Sequence, residues 1–153
     1  MKNLLLLLLS IVCFTVNAQT FVSTTPENKN VVLEEFTGIY CTFCPDGHLI
    51  AQGLHDSYPN DIFLINIHTG GYSNPNSLSH PDFNSNHGAA IAANSGLAGY
   101  PAGTVNRHVF PNITPQGSAG TTALSRGDWG TASTEIMSQA SPVNVAAQAS
   151  YDM

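Results

Sequence analysis

Two cysteines with the spacing C-x-x-C, Cys41 and Cys44, lie where an apolar segment gives way to a candidate helix. The apolar segment, residues 31–36, is typical of a mostly buried strand, and a helical pattern begins at Phe43. This order places both thiols at a strand-to-helix turn. The unpaired N–H groups and the positive dipole end of a helix stabilise negative charge, so Cys41, the thiol nearer the terminus, is favoured as the thiolate. Because the thiolate is the reactive form, the pattern indicates a reactive dithiol.

Residues 1–18 have the pattern of an export signal peptide. Lys2 supplies the positive start, residues 4–9 an apolar core, and Val16-Asn17-Ala18 a small-residue cleavage site. The apolar run is shorter than the roughly 20 residues that a membrane-spanning helix needs. We therefore expect an exported chain that begins at Gln19 and reaches an oxidising compartment, with at most peripheral attachment to a membrane.

Charge and composition exclude a nucleic-acid-binding class. The chain has four basic and ten acidic residues and a net charge of −6, so the basic surface that nucleic acid requires is missing. Apolar residues make up 42% of the chain, which is enough to fill the core of one domain. We predict a flexible leader over residues 19–30, where the chain is polar and lacks periodicity, and one domain over residues 31–141.

Strand and helix patterns alternate along this domain. We predict strands over residues 31–36, 62–68, 104–110 and, in a short form, 121–124, with helices over residues 43–58, 82–94 and 129–140. The first strand, the first helix and the second strand form a βαβ unit with a right-handed parallel crossover. Parallel strands end at the same edge of a sheet, so His68 should lie on the same side as Cys41.

A last strand is predicted over residues 142–153 from strict alternation. The side chains that would face one way are Val143, Val145, Ala147, Ala149 and Tyr151. We expect this strand either to join an edge of the main sheet or to begin a β domain that is truncated in this chain.

Three features resemble the thioredoxin superfamily. They are the C-x-x-C at the start of the first long helix, Glu35 six residues before Cys41, and Tyr100-Pro101 ahead of a strand. Thioredoxins place a buried acidic residue and a cis-proline at the second and third of these positions. The resemblance implies an α/β, thioredoxin-like three-layer fold with a central mixed sheet, an insertion before the cis-proline and an extra C-terminal strand.

Each residue of this set has a chemical role that fits the resemblance. Cys41 would attack a substrate disulfide, and Cys44, one helical turn further in, would resolve the mixed disulfide. Glu35 shares a strand face with Val31 and Leu33, so we expect burial to raise its pKa and suit it to accept the proton of Cys44. A half-exposed Glu35 stays the alternative, because one sequence does not fix the strand register.

The resemblance also implies a substrate-binding surface. A cis Pro101 beside Tyr100 would expose backbone groups that pair with an extended substrate segment. Tyr40 occupies the place of the usual thioredoxin tryptophan and would cover the disulfide. The pair Thr42-Phe43 between the cysteines leaves the redox direction open.

The sequence departs from compact thioredoxins in one segment. Pro101 follows Cys41 by 60 positions, and the excess falls in residues 69–94, which we call the insert. We expect the insert to shape a substrate groove or to cap the dithiol. The insert contains His80 and His87, and His68 flanks it. Each of these histidines is either an ordinary surface or core residue or a group that tunes a thiolate or binds a metal.

A closer resemblance is to exported bacterial proteins related to the twenty-eight-kilodalton outer membrane protein. It is carried by Glu34-Glu35-Phe36-Thr37-Gly38, by Cys41-x-x-Cys44-Pro45-x-Gly47-His48, and by Tyr100-Pro101 followed by Val105-Asn106-Arg107. This resemblance implies a thioredoxin-like domain in the periplasm, at the outer membrane or on the cell surface, commonly extended by a β-rich region. The biochemical role of that family is poorly defined. For a thiol–disulfide oxidoreductase, the partners would be protein thiols or disulfides and an envelope redox protein, and no diffusible cofactor is needed.

Three functions stay open from the sequence. The first is an exported thiol–disulfide oxidoreductase, and the second is a non-catalytic outer-membrane-associated or surface module that keeps a structural Cys41–Cys44 disulfide. The third is a metal-binding module that uses Cys41, Cys44 and His48, but a fourth ligand is not obvious, so no metal site is predicted. Pro45 stands where haem attachment would need a histidine.

Overall fold

The computed structural model describes residues 22–77, 79–147 and 149–150. These described residues divide into two compact units, Asn28–Ala140 and a flanking unit of residues 22–27, 141–147, 149 and 150. The predicted signal peptide lies outside the described residues and stays a prediction. Among the described residues, no helix has the length and apolar character needed to cross a membrane.

The described part of Asn28–Ala140 contains four strands and three α-helices. The strands are β1 (Val31–Thr37), β2 (Ile62–His68), β3 (Ala102–Val105) and β4 (Leu124–Ser125), and the helices are α1 (Cys44–Ser57), α2 (Asn86–Ser95) and α3 (Trp129–Met137). Short 3-10 turns occupy Gly71–Ser73 and Arg126–Asp128. The bounds of β1, α1 and β2 agree closely with the sequence prediction.

The four strands form one mixed sheet in the order β2-β1-β3-β4. Strand β1 pairs with β2 in parallel and with β3 antiparallel, and β3 pairs antiparallel with β4. The parallel pair confirms the predicted βαβ unit. This sheet with its helices is the predicted thioredoxin-like α/β fold.

Helices cover the two faces of the sheet in separate layers. On one face, β1 packs with α1 and α3 in a core formed by Val31, Leu33, Ala51, Ile62, Val105, Phe110, Leu124, Trp129, Ala132 and Ile136. On the other face a smaller core joins β1 to α2 through Phe36, Ile67, Ala92, Ala102 and Ala123. Because side chains alternate along a strand, β1 sends successive residues to different layers.

Two predicted element boundaries were wrong for local reasons. The third strand starts at Ala102 and ends at Val105, because Asn106 and Arg107 have φ angles of 51° and 48°, outside the strand region. Helix α2 starts later than predicted because the Ser85 side chain accepts a hydrogen bond from the Gly88 N–H at 3.0 Å, which caps the helix at that point.

The last predicted helix and the short strand before it also differ from the structure. Helix α3 ends at Met137 rather than near residue 140. The short strand predicted at 121–124 is instead Leu124–Ser125.

The last strand, predicted over residues 142–153, is not formed by residues 142–147, 149 and 150. Val143 and Val145 are 65% and 85% exposed, so their alternation does not correspond to a buried face. Within the flanking unit this segment is held by hydrogen bonds instead: the Asn144 side chain donates to the carbonyls of Ser23 and Thr25 at 2.8 and 2.7 Å. Tyr151 lies outside the described residues.

Candidate active site

Cys41 and Cys44 form a disulfide at the start of α1. Their Cα atoms are 5.4 Å apart, Cys44 is the first residue of the helix, and Cys41 lies in the turn that follows β1. The Cys41 N–H donates to the Gly38 carbonyl at 3.0 Å, which fixes that turn. Pro45 occupies the first turn of the helix, where its missing N–H leaves no hydrogen bond unmade.

The two cysteines differ in their access to solvent. Cys41 is 8% exposed and Cys44 is 1% exposed. An incoming sulfur therefore reaches Cys41 first, while Cys44 remains enclosed by the helix and the sheet. This asymmetry fits the predicted division into an attacking and a resolving cysteine.

Glu35 is buried on the face of β1 that carries α1. It is 1% exposed, and its Oε1 atom makes no hydrogen bond among the described residues. Burial raises the pKa of the Glu35 carboxyl, and the neighbouring His48 acts in the opposite direction. The predicted inward orientation is thus the one observed, and the half-exposed alternative is wrong.

His48 reaches Glu35 from the second turn of α1. Its Nδ1 lies 2.9 Å from Glu35 Oε2, its Nε2 lies 3.3 Å from Thr37 Oγ1, and its side chain is 40% exposed. Sequence reasoning considered His48 only as a partial metal ligand and missed this contact. The available signal was its spacing of four residues from Cys44, which places both on one helix face.

Gly47 brings α1 close to both Glu35 and Pro101. A Cβ atom at Gly47 would lie 2.6 Å from Glu35 Oε1 and 2.9 Å from Pro101 Cβ. The Tyr100–Pro101 peptide bond is cis, as the resemblance implied. The structure therefore brings the disulfide-bearing end of α1, the carboxylate and the cis-proline together.

A groove of about 320 Å³ opens beside the disulfide. It is lined by Cys41, Thr42, Phe43, Tyr72, Ala98, Gly99 and Tyr100. The rings of Tyr72 and Tyr100 pack edge to face with centroids 5.6 Å apart. Burial raises the pKa of the Tyr100 hydroxyl, while its hydrogen bond with Thr69 acts in the opposite direction. Pro101 itself is fully buried, so Tyr100 forms the wall of the groove.

The insert contributes to the groove through Tyr72, and it also holds Tyr40. The Tyr40 hydroxyl donates to Asn76 Oδ1 at 2.7 Å, and it contacts the His80 ring as well. The Tyr40 N–H donates to the Tyr72 carbonyl at 3.0 Å. The observed polar contacts of Tyr40 are thus with the insert, and its predicted role in covering the disulfide and binding substrate stays a prediction.

The remaining histidines have separate positions. His68 pairs with Thr37 in the parallel ladder, so it lies at the predicted sheet edge, and its ring packs against Phe83 at 5.0 Å. Burial lowers the pKa of His68, and the charge of His48 lowers it further. His87 is exposed. Among the described residues, no three His, Cys, Asp or Glu side chains are grouped to hold a metal ion.

Glu34 points to the opposite face of the sheet. Its carboxylate accepts two hydrogen bonds from Arg107, from Nε at 2.7 Å and from Nη2 at 2.5 Å. These hydrogen bonds raise the pKa of the Arg107 guanidinium. Of the two adjacent glutamates, Glu35 is therefore the one that faces α1.

Comparisons with known proteins do not assign this chain to a family. No protein-family model matches the chain, and no curated protein matches it. Among solved structures, HBP35 of Porphyromonas gingivalis matches with a TM-score of 0.46 and 24% identity, over 73% of this chain and 33% of its own. The chain thus spans about a third of the length of that protein. The description as thioredoxin-like follows from the sheet order and its helices.

Proposed function

We propose that this domain is a thiol–disulfide oxidoreductase that exchanges disulfides with protein thiols or disulfides in the cell envelope. The observation that carries the proposal is the position of the Cys41–Cys44 disulfide on α1, whose next turn lies against both Glu35 and the cis Pro101. Export, and a place in the periplasm, at the outer membrane or on the cell surface, is proposed from the signal pattern in residues 1–18.

The exchange has two balanced steps. In the reducing direction, the Cys41 thiolate bonds to one sulfur of a substrate disulfide, and the other substrate sulfur leaves as a thiolate. Cys44 then loses its proton and bonds to the Cys41 sulfur, and the bond between Cys41 and the substrate breaks. Two electrons pass from the dithiol to the substrate, whose thiolates take up protons. The oxidising direction is the reverse of these steps.

The lining of the groove favours an extended, uncharged substrate segment. Among the described residues, its lining contains three aromatic side chains, Phe43, Tyr72 and Tyr100, and no acidic or basic residue. Phe43 and Tyr72 are 64% and 52% exposed, so each has surface left to contact a ligand. We propose that the segment beside the substrate sulfur carries an apolar or aromatic side chain, because such a side chain would bury area against these rings.

Trapping of a mixed disulfide tests the proposed function. Reduced protein with Cys44→Ser should hold a peptide disulfide on Cys41, since the resolving thiol is missing. The matched variant Cys41→Ser should hold none, and it should also lose catalysis of insulin-disulfide reduction by dithiothreitol. Absence of both the mixed disulfide and the catalysis would contradict the proposal.

A second candidate is a non-catalytic surface module with a structural disulfide. The small exposure of Cys41, 8%, is the observation that favours it, because an attacking sulfur must be reached by its partner. The pH dependence of Cys41 alkylation separates the two functions. An apparent pKa near the ordinary ~8.5 together with no insulin reduction favours the module, whereas a lowered pKa favours the oxidoreductase.

A further inference from the structure

Glu35 alone does not explain how the proton of Cys44 leaves the site. If Glu35 takes the proton of Cys44, that proton must later reach water. Glu35 is 1% exposed, so water does not reach the carboxyl directly. A buried carboxyl that cannot pass its proton to water would stay protonated after one exchange and would not serve as a base again.

His48 is positioned to pass this proton to water. Its Nδ1 lies 2.9 Å from Glu35 Oε2, while 40% of its side chain is exposed. The opposite carboxylate oxygen, Oε1, lies against Gly47. Gly47 and His48 follow Cys44 by three and four residues, so the three share one face of α1. The Glu35 carboxyl contacts both Gly47 and His48.

We propose that His48 is the residue that carries the proton between Glu35 and water and that orients the carboxyl with Oε1 toward the dithiol side. The inference deepens the proposed function and rests on it. His48 acts through Glu35 rather than on the sulfurs, so it is a positioning residue. Its hydrogen bond to Thr37 Oγ1, at 3.3 Å, fixes the plane of the imidazole ring.

The proton transfer fits the second step of the exchange. The Cys44 proton passes to the Glu35 carboxylate as the Cys44 sulfur bonds to Cys41 and the substrate sulfur leaves with the electron pair. Rotation about the terminal carbon–carbon bond of Glu35, a soft two-fold torsion, exchanges the two oxygens. The carboxyl then gives its proton to His48, and His48 releases a proton to water, so that protons and electrons balance.

The other charged groups near Glu35 and His48 are either paired or have a shifted pKa, so we assign the proton transfer to Glu35 and His48. His68, at the end of β2, has a pKa lowered by burial and by the charge of His48. On α1, Asp46 is paired with Arg126, and on the far side of β1, Glu34 is paired with Arg107. The dithiol itself is the other titrating group, through Cys41 and Cys44 when reduced.

The test measures the two exchange steps separately. Reduced protein is mixed with an aromatic disulfide whose released thiolate is coloured: one equivalent is released when Cys41 attacks and a second when Cys44 resolves. His48→Gln should leave the first step within about twofold of the unaltered protein. It should slow the second step by about tenfold or more, in the range of a lost proton-transfer group.

Two further readouts separate proton transfer from a structural role. Free imidazole in the buffer should restore much of the second-step rate in His48→Gln, but not in Glu35→Gln. The second-step rate of His48→Gln should also depend more steeply on pH, because hydroxide then replaces the missing relay. The matched control is His87→Gln on the exposed surface of α2, which should change neither step.

The outcomes distinguish the two proposals. An unaltered protein that releases no second equivalent overturns the oxidoreductase function, and the inference with it. An unaltered protein that resolves normally, beside a His48→Gln variant with the same rate and pH profile, overturns the role of His48 alone. Failure of imidazole to restore a slowed second step also overturns it, because a structural defect would not respond to a small base.

Discussion

Gly47 lies against Glu35 so closely that a methyl group at this glycine would sit 2.6 Å from Oε1 of the carboxylate. The same methyl group would sit 2.9 Å from Cβ of Pro101. The packing of both Glu35 and Pro101 against α1 therefore depends on the absence of a side chain at Gly47.

Gly47→Ala should lower the free energy of unfolding by about 1–3 kcal/mol, because the added carbon forces α1 away from β1 and from Pro101. Denaturant unfolding of the oxidised protein measures this change. The matched control is Gly53→Ala in the same helix, where a Cβ atom would meet nothing within 4 Å. That control should gain about 0.5–1 kcal/mol, since alanine is the better helix residue. Equal effects at the two positions would contradict the close packing at Gly47.

Glu35→Gln should stabilise the protein at alkaline pH and not at acid pH. Burial raises the pKa of Glu35 in the folded state, so its favourable contribution is present below the unfolded-state pKa and is lost as the pH rises through the folded-state pKa. Glutamine removes the buried charge, and we expect a gain of about 1 kcal/mol at pH ~8 that shrinks toward pH ~4. Urea unfolding at both pH values checks this.

The control for Glu35→Gln is the same change at Glu135, which is partly exposed on α3. Glu135→Gln should show a smaller dependence on pH. A Glu35→Gln gain that is larger at acid pH would have the wrong sign for a buried carboxyl.

Arg107→Gln should destabilise the domain by about 1–3 kcal/mol, because it leaves the Glu34 carboxylate buried without its two charged hydrogen bonds. The Glu34 side chain is 8% exposed. Arg126→Gln is the matched control, since its partner Asp46 is 56% exposed, and exposed pairs contribute about 0–1 kcal/mol. Equal losses in chemical unfolding would show that burial of Glu34 does not set the strength of the pair.

Replacement of both Cys41 and Cys44 with serine should lower the free energy of unfolding by no more than about 2 kcal/mol. A bridge between residues three apart closes a very small loop, so it restricts the unfolded chain only slightly. Thermal and denaturant unfolding of the double variant and of the oxidised protein measure the difference. A loss of about 4 kcal/mol or more would favour the structural-disulfide module instead of the oxidoreductase.

Tyr72→Ala should reduce kcat/KM by about three- to tenfold for a peptide disulfide with an aromatic residue beside its cysteine, because one aromatic contact is worth about 0.5–1.5 kcal/mol. A peptide with glycine at that place should be affected less. Phe63→Ala is the control, since Phe63 is also exposed, at 45%, but lies near the start of β2, at the opposite end of that strand from His68. The same loss with both peptides would contradict a role of Tyr72 in selecting the side chain.

The sequence predicted the parts of the fold that depend on local periodicity. The β1–α1–β2 unit and the inward face of Glu35 follow from alternation along one strand and from helical spacing after Cys44. The third strand was predicted to end later in the chain than it does, because the pattern of apolar residues does not reveal the left-handed conformations of Asn106 and Arg107.

Contacts between distant segments could not be predicted in this way. The approach of His48 to Glu35 depends on how closely α1 crosses β1, and Gly47 makes that approach possible. The hydrogen bond of Tyr40 to Asn76 joins two loops without periodicity. The strand predicted after residue 142 was wrong because alternation of apolar residues indicates a strand only where one face is buried. Val145 is 85% exposed.

Tyr40, the residue directly before Cys41, is hydrogen-bonded to the insert. Its hydroxyl is held by Asn76 and its N–H by the Tyr72 carbonyl, so Cys41 and the insert are mechanically linked through one side chain and its backbone. We therefore expect a substitution in the insert at either contact of Tyr40 to alter the position of Cys41, although C-x-x-C itself is unchanged. If the domain exchanges disulfides as proposed, two chains that share this motif but differ in residues 69–94 should differ in the substrates they accept.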